Sequence, residues 1–187
     1  MGFLFCQPLS SHVPQFLVDA CMAENVENAL SSWLKGAKRV VVAGIGNPIR
    51  SDDYVGLYIV QALQGKVCSD VCLLECEAVP ESFLLDIEEF SPTHVLLIDA
   101  AIRGYKPGEA SFVNFDDVPA FAAISSHALP LRLFCEYTER STSAKVRLLL
   151  VEPANTELGE CLSQDVAATA EKLTKLLLDL LSRLSCA

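Results

Sequence analysis

The chain is 187 residues long, 51% hydrophobic, and carries a formal net charge of −10. That length suits one compact domain with ample material for a core. The acid excess excludes nucleic acid as the default partner, since no basic stretch could track phosphates, and no apolar run approaches the ~18 residues of a membrane span.

The opening Met1-Gly2-Phe3-Leu4-Phe5-Cys6 lacks the basic and long apolar regions of a signal peptide. Position 6 is not the Ser or Thr of a myristoylation signal. The expected location is the cytoplasm. Eight cysteines occur without any CxxC pair, and a chain of this size needs no disulfide staple. They are expected to be reduced and structural, with Cys72 and Cys76 sharing one strand face. Residues 1–37 read as an N-terminal extension with one helix, from Glu27 to Lys38, carrying Ala29, Leu30, Trp33 and Leu34 on one face. Residues 38–187 read as a single α/β domain.

In that domain Arg39–Ala43 is apolar and β-branched, as a central parallel strand buried on both faces would be. A helix is expected from about Asp53 to Leu63, and a second strand over Val71–Glu75. Pro80 opens a helix where its missing N–H costs nothing, with Phe83, Leu84 and Ile87 on the apolar face. Ser91-Pro92 ends it. His94–Asp99 reads as a third strand ending in a carboxylate, and Gly104 with Pro107-Gly108 turns into a short strand over Ala110–Asn114. Ser125-Ser126 can cap a helix from His127 to about Thr138, and Lys145–Val151 is the last strand. The closing helix, Gln164–Leu184, turns Val166, Ala170, Leu173, Leu177, Leu180 and Leu184 inward. This alternation predicts a three-layer α/β/α fold: a mostly parallel, twisted sheet of about five strands with helices on both faces.

Chemistry concentrates between Ala43 and Asp53. Gly44, Gly46 and Pro48 make a turn, and Asp52-Asp53 stand at a helix start, where negative charge gains roughly 0.3–1 kcal/mol. Such a pair is ordinarily a cap and its neighbour. Its position gives it a second reading, because open α/β sheets bind ligands at the carboxyl ends of their strands. Asp99 ends a strand at that edge, and His127 follows a polar loop there. Asp53, Asp99 and His127 form a two-carboxylate, one-imidazole set suited to a divalent metal with open positions. A nucleotide site fits less well. Glu75 or Glu77 could serve a ribose, but position 49 is Ile rather than a third glycine, and the acid pair would face the pyrophosphate. No G-x-S-x-G elbow supports a serine hydrolase.

Several motifs follow one another in order. Gly44-Ile45-Gly46-Asn47 precedes Asp52-Asp53, and Ala78-Val79-Pro80-Glu81 comes next. Val95-Leu96-Leu97-Ile98-Asp99-Ala100 then runs on to Gly104 and Pro107-Gly108. Ser125-Ser126-His127-Ala128-Leu129-Pro130-Leu131 and Glu152-Pro153 complete the set. In this combination the chain resembles the NiFe-hydrogenase maturation endopeptidases, most closely the branch that processes hydrogenase-3-type large subunits, from about residue 38 onward. The resemblance implies an endopeptidase that removes the C-terminal peptide of the immature large subunit after nickel insertion. Asp53, Asp99 and His127 match the family's nickel-contacting positions and are the expected catalytic residues. The nickel would arrive with the substrate rather than be stably bound. Gly46, Asn47 and Asp52 are further expected substrate contacts. The alternative is a nickel-binding chaperone, or a small-molecule or nucleotide-binding module, without protease activity. Two departures from the family pattern stand out: Tyr54 where a glycine is frequent, and Glu75-Cys76-Glu77 in place of a Gly-rich segment.

Overall fold

A computed structural model of the chain describes residues 26–117 and 128–184. Its sheet has five strands in the order β2-β1-β3-β5-β4. They are β1 (Val40–Ile45), β2 (Val71–Glu77), β3 (His94–Ala100), β4 (Ala110–Val113) and β5 (Lys145–Val151). All neighbours pair in parallel except β4, which runs antiparallel to β5 at one edge. Every residue of β1 and β3 is buried, the pattern of central strands covered on both faces.

Helices fill both outer layers. On one face a helix over residues 26–34 (α1), α2 (Val55–Leu63) and α5 (Gln164–Ser182) pack against Val40, Val42, Leu96 and Ile98. On the other, α3 (Leu84–Phe90) and α4 (Ala128–Thr142) cover Val41, Ala43, Val95 and Leu97. The alternation of even and odd residues between the two cores is the period-2 signature of a strand. The six inward positions expected on the closing helix are all buried. Among the described residues no helix is long and apolar enough to cross a membrane.

Local differences from the expected elements have local causes. Both helix starts at the carboxyl edge are split: 3-10 turns at Ser51–Tyr54 and Pro80–Phe83 precede α2 and α3. Strand β2 extends to Glu77 because the ladder continues past a register shift at Gly44/Ile45, with Gly46 N–H donating to Glu77 O at 2.9 Å. Helix α4 runs on to Thr142 before Ser143 takes a left-handed conformation. Helix α1 ends at residue 34, where Gly36 also has positive φ. Its Val26, Leu30 and Leu34 are buried in the same core as α5, so this part of the expected extension is packed on the domain. Residues 1–25 lie outside the described residues, as do Ser125-Ser126 and His127.

Candidate active site

In this strand order, the connection from β1 leads to β2 on one side while β3 lies on the other. The crevice between the carboxyl ends of β1 and β3 is therefore a topological switch point, where open α/β sheets take ligands. Asp99 stands one residue beyond Ile98, the partner of Gly44 across the β1–β3 ladder. It is only 2% exposed. Alternation puts its side chain on the Val95–Leu97 face, the face covered by α3 and α4. Asp53 comes from the 3-10 turn after β1, which packs against β3, and it is half-buried. The two carboxylates expected at this rim are thus carried by neighbouring segments.

Two glycines allow this approach. A Cβ on Gly56 would lie 2.3 Å from both Ile45 O and Ile98 O, so the start of α2 rests directly on the ends of β1 and β3. Gly46 has φ +136°, and a Cβ there would fall 1.7 Å from Asp53 O. No L side chain fits. Gly46 is buried with its N–H committed to Glu77, and Asn47 Oδ1 accepts from Ile49 N–H at 3.1 Å to tighten the turn. These two expected substrate contacts hold the backbone that carries Asp53.

Asp52, the third expected substrate contact, is turned away from the crevice. It is 0% exposed, and its carboxylate accepts from three main-chain N–H groups: Ala154 (2.8 Å), Asn155 (2.9 Å) and Ser163 (2.6 Å). Its oxygens are occupied by the loop after β5, which leaves no face for a substrate. The physical reason is the long-range partner: the acid that looked like a helix cap instead secures a loop about a hundred residues away in sequence. Glu152 does the same for the loop after β3. It is buried, and its carboxylate accepts from Arg103 N–H (2.7 Å) and Gly104 N–H (3.1 Å).

Helix α4 packs in the layer that Asp99 faces, and it begins at Ala128. It descends to the amino edge, where β5 starts opposite His94. A helix of 15 residues spans about 22 Å, so its first turn belongs to the carboxyl edge. His127, the imidazole expected there, lies outside the described residues. Among the described residues no group of three His, Cys, Asp or Glu side chains could hold a metal ion.

Among the described residues the buried cysteines Cys76 and Cys135 are no activated nucleophiles. Cys68, Cys72, Cys76, Cys135 and Cys161 are all free of disulfides. Burial pushes the Cys76 thiol up to about 12 and raises that of Cys135 as well. Thiols so far from ionising behave as small core hydrophobes, as expected for Cys72 and Cys76 on one face of β2.

The model of the HycI hydrogenase maturation protease family matches residues 57–180, a span that includes Asp99 and His127 and begins just after Asp53. A Methanocaldococcus jannaschii protein provisionally named a hydrogenase maturation protease is 28% identical over 170 residues, 87% of this chain and 99% of that one. The crystal structure of the NiFe-hydrogenase maturation protease HycI from Thermococcus kodakarensis superposes with a TM-score of 0.77 at 32% identity, covering 83% of this chain and 99% of that one. The hydrogenase maturating endopeptidase HybD of E. coli gives 0.64 at 26% identity, over 74% and 89%. This chain belongs to the hydrogenase maturation protease family.

The protease's two departures from the family pattern are connected. Tyr54 Oη donates to Gln61 Oε1, Gln61 Nε2 donates to Glu75 Oε2 at 2.7 Å, and Gln64 Nε2 donates to Glu75 Oε1. The tyrosine in the glycine position and the acid in the Gly-rich position thus meet through one glutamine of α2. The roles of Gly56 and Glu152 escape a reading by motif. A lone glycine inside a helical pattern is the one signal that marks close backbone approach, and Gly56 supplies it.

Proposed function

We propose that this protease removes the C-terminal peptide of an immature NiFe-hydrogenase large subunit after nickel insertion, reading the substrate-held nickel through Asp53, Asp99 and His127. The observation that supports this reading is that neighbouring segments at the β1/β3 switch crevice carry Asp53 and Asp99, in a chain of this family. Two carboxylates and one imidazole are a hard, incomplete set for nickel compared with thiolates. Such a set holds the ion weakly alone, but it completes the coordination of nickel presented on substrate cysteines. An apo large subunit offers it nothing, so metal recognition doubles as a test of substrate maturity. Scission needs an activated water. The substrate's nickel can lower that water's pKa, or a carboxylate of the pair can take its proton.

The test is to incubate the full chain with nickel-loaded and with nickel-free large-subunit precursor and weigh the products. The expected result is a shortened large subunit and a released peptide with nickel alone. Equal cutting of both precursors removes nickel recognition from the reading, and intact precursor in both removes the reading.

A further inference from the structure

Eight large apolar side chains stand exposed among the described residues, and five of them belong to loops at the carboxyl edge: Ile49, Val79, Ile102, Tyr105 and Leu158. Two of these are neighbours. Gly159 N–H donates to Ile49 O at 3.0 Å, Ser51 N–H donates to Gly159 O at 2.8 Å, and Arg50 pairs with Gly159 in a parallel bridge. Ile49 is 56% exposed and Leu158 80%. Together they form a short apolar ridge.

The ridge is built rigidly. The loop bearing Leu158 is fastened by Asp52 at Ala154, Asn155 and Ser163, by Arg50 Nε donating to Thr156 O (3.1 Å), and by Asp52 N–H donating to Asn155 O (3.0 Å). A slack loop would fold a leucine underneath to remove it from water. This one holds Leu158 outward. The ridge also adjoins the candidate acid, since Asp53 N–H donates to Arg50 O at 3.0 Å in the same turn. Exposed Arg50, Glu157 and Glu160 rim it with charge of both signs, the surround of an interaction patch rather than of a folding defect.

We propose that Ile49 and Leu158 are specificity contacts of the protease, seating an apolar segment of the polypeptide substrate beside Asp53. This rests on the function proposed above. A polypeptide substrate is the occupant because the ridge rises from the turn that carries Asp53, in a chain of a protease family.

The test measures steady-state cleavage of nickel-loaded large-subunit precursor by the full chain and by Leu158→Asp, Ile49→Asp, Leu158→Met and Leu85→Asp. Leu85, exposed on α3, is the control for adding a carboxylate to an apolar surface. The expected result is a rise in KM of about tenfold to a hundredfold for Leu158→Asp and Ile49→Asp, the scale of one apolar side chain's burial. Their kcat should stay within about twofold. Leu158→Met and Leu85→Asp should match the parent. Unchanged KM in both ridge variants, with the parent cleaving normally, overturns the ridge and leaves the proposed function standing. A parent that cleaves nothing overturns both. A concentration-dependent dimer of the parent, lost in Leu158→Asp without a change in KM, overturns the ridge in favour of a second copy.

Discussion

The two edges of the sheet are fastened by different chemistry. At the amino edge the connections are short and mostly neutral, with one carboxylate, Glu139, accepting from Val146 N–H (3.0 Å). Thr93 Oγ1 accepts from Lys38 N–H (3.0 Å) and Arg39 N–H (3.3 Å), and Lys145 N–H donates to Thr93 O (3.0 Å). Trp33 packs edge-on against His94, with ring centroids 4.9 Å apart. At the carboxyl edge the loops are longer, and buried carboxylates gather them: Asp52 takes three main-chain N–H groups and Glu152 two. Hydrogen bonds to ionised groups contribute about twice as much as neutral ones. The stronger fastening therefore sits where loops must stay open yet keep their shape. The amino edge needs only closure, and packing with these few hydrogen bonds supplies it.

The largest effects should come from the three proposed site residues. Asp53→Asn, Asp99→Asn and His127→Ala are each expected to abolish precursor cleavage, a loss of at least about a thousandfold on the scale of metal and acid–base contributions. Circular dichroism and melting should stay close to the parent for Asp53→Asn and His127→Ala. Full processing by all three variants would remove the site assignment. Next come the clamps themselves. Asp52→Ala removes a buried carboxylate that answers three main-chain N–H groups and should cost about 3–5 kcal/mol of unfolding free energy, while Glu152→Ala, with two donors, should cost about 2–3 kcal/mol. Against a typical stability of about 5–15 kcal/mol, denaturant titration resolves both. If Asp52→Ala proves as mild as a neutral hydrogen-bond deletion, the contrast between the edges is wrong.

Much of the fold was legible from periodicity. The unbroken β-branched run of β1, the Pro80 helix start and the inward stripe of α5 each follow from residue pattern, and the strand order makes neighbours of the segments that carry Asp53 and Asp99. Asp52 was not legible. Two adjacent aspartates at a helix start look alike along the chain, and only contacts with residues 154, 155 and 163 separate the buried clamp from the half-buried Asp53. Gly46 and Asn47 were ambiguous for the same reason: a turn that approaches a ligand and a turn that supports its neighbour require the same residues. Tertiary partners decide such cases, and sequence spacing does not contain them.

Smaller effects probe the amino edge. Thr93→Val keeps the shape but loses the hydroxyl, and should cost about 1 kcal/mol with cleavage unchanged. His94 gives a finer measure. Burial, and then the nearby Lys145 ammonium, lower its pKa below the ordinary imidazole value, while a main-chain contact at Trp33 opposes them in part. The unfolded chain therefore takes up a proton at His94, as pH falls through about 6.5, that the folded chain refuses. Unfolding binds protons in that window, so this residue's contribution makes stability fall with falling pH, by at most about 1.4 kcal/mol per pH unit, until the folded pKa is reached. Above that window it contributes no slope. His94→Gln removes this group and leaves every other titrating side chain in place. Urea titrations at pH 7.5, 6.5 and 5.5 should give the variant a shallower acid loss than the parent, with the gap opening only below about pH 6.5. Equal slopes would mean that His94 charges as readily inside the fold as outside. The amino edge would then be wetter and looser than its buried strand ends and Trp33 contact indicate, and the asymmetry between the edges would rest on the carboxylate clamps alone.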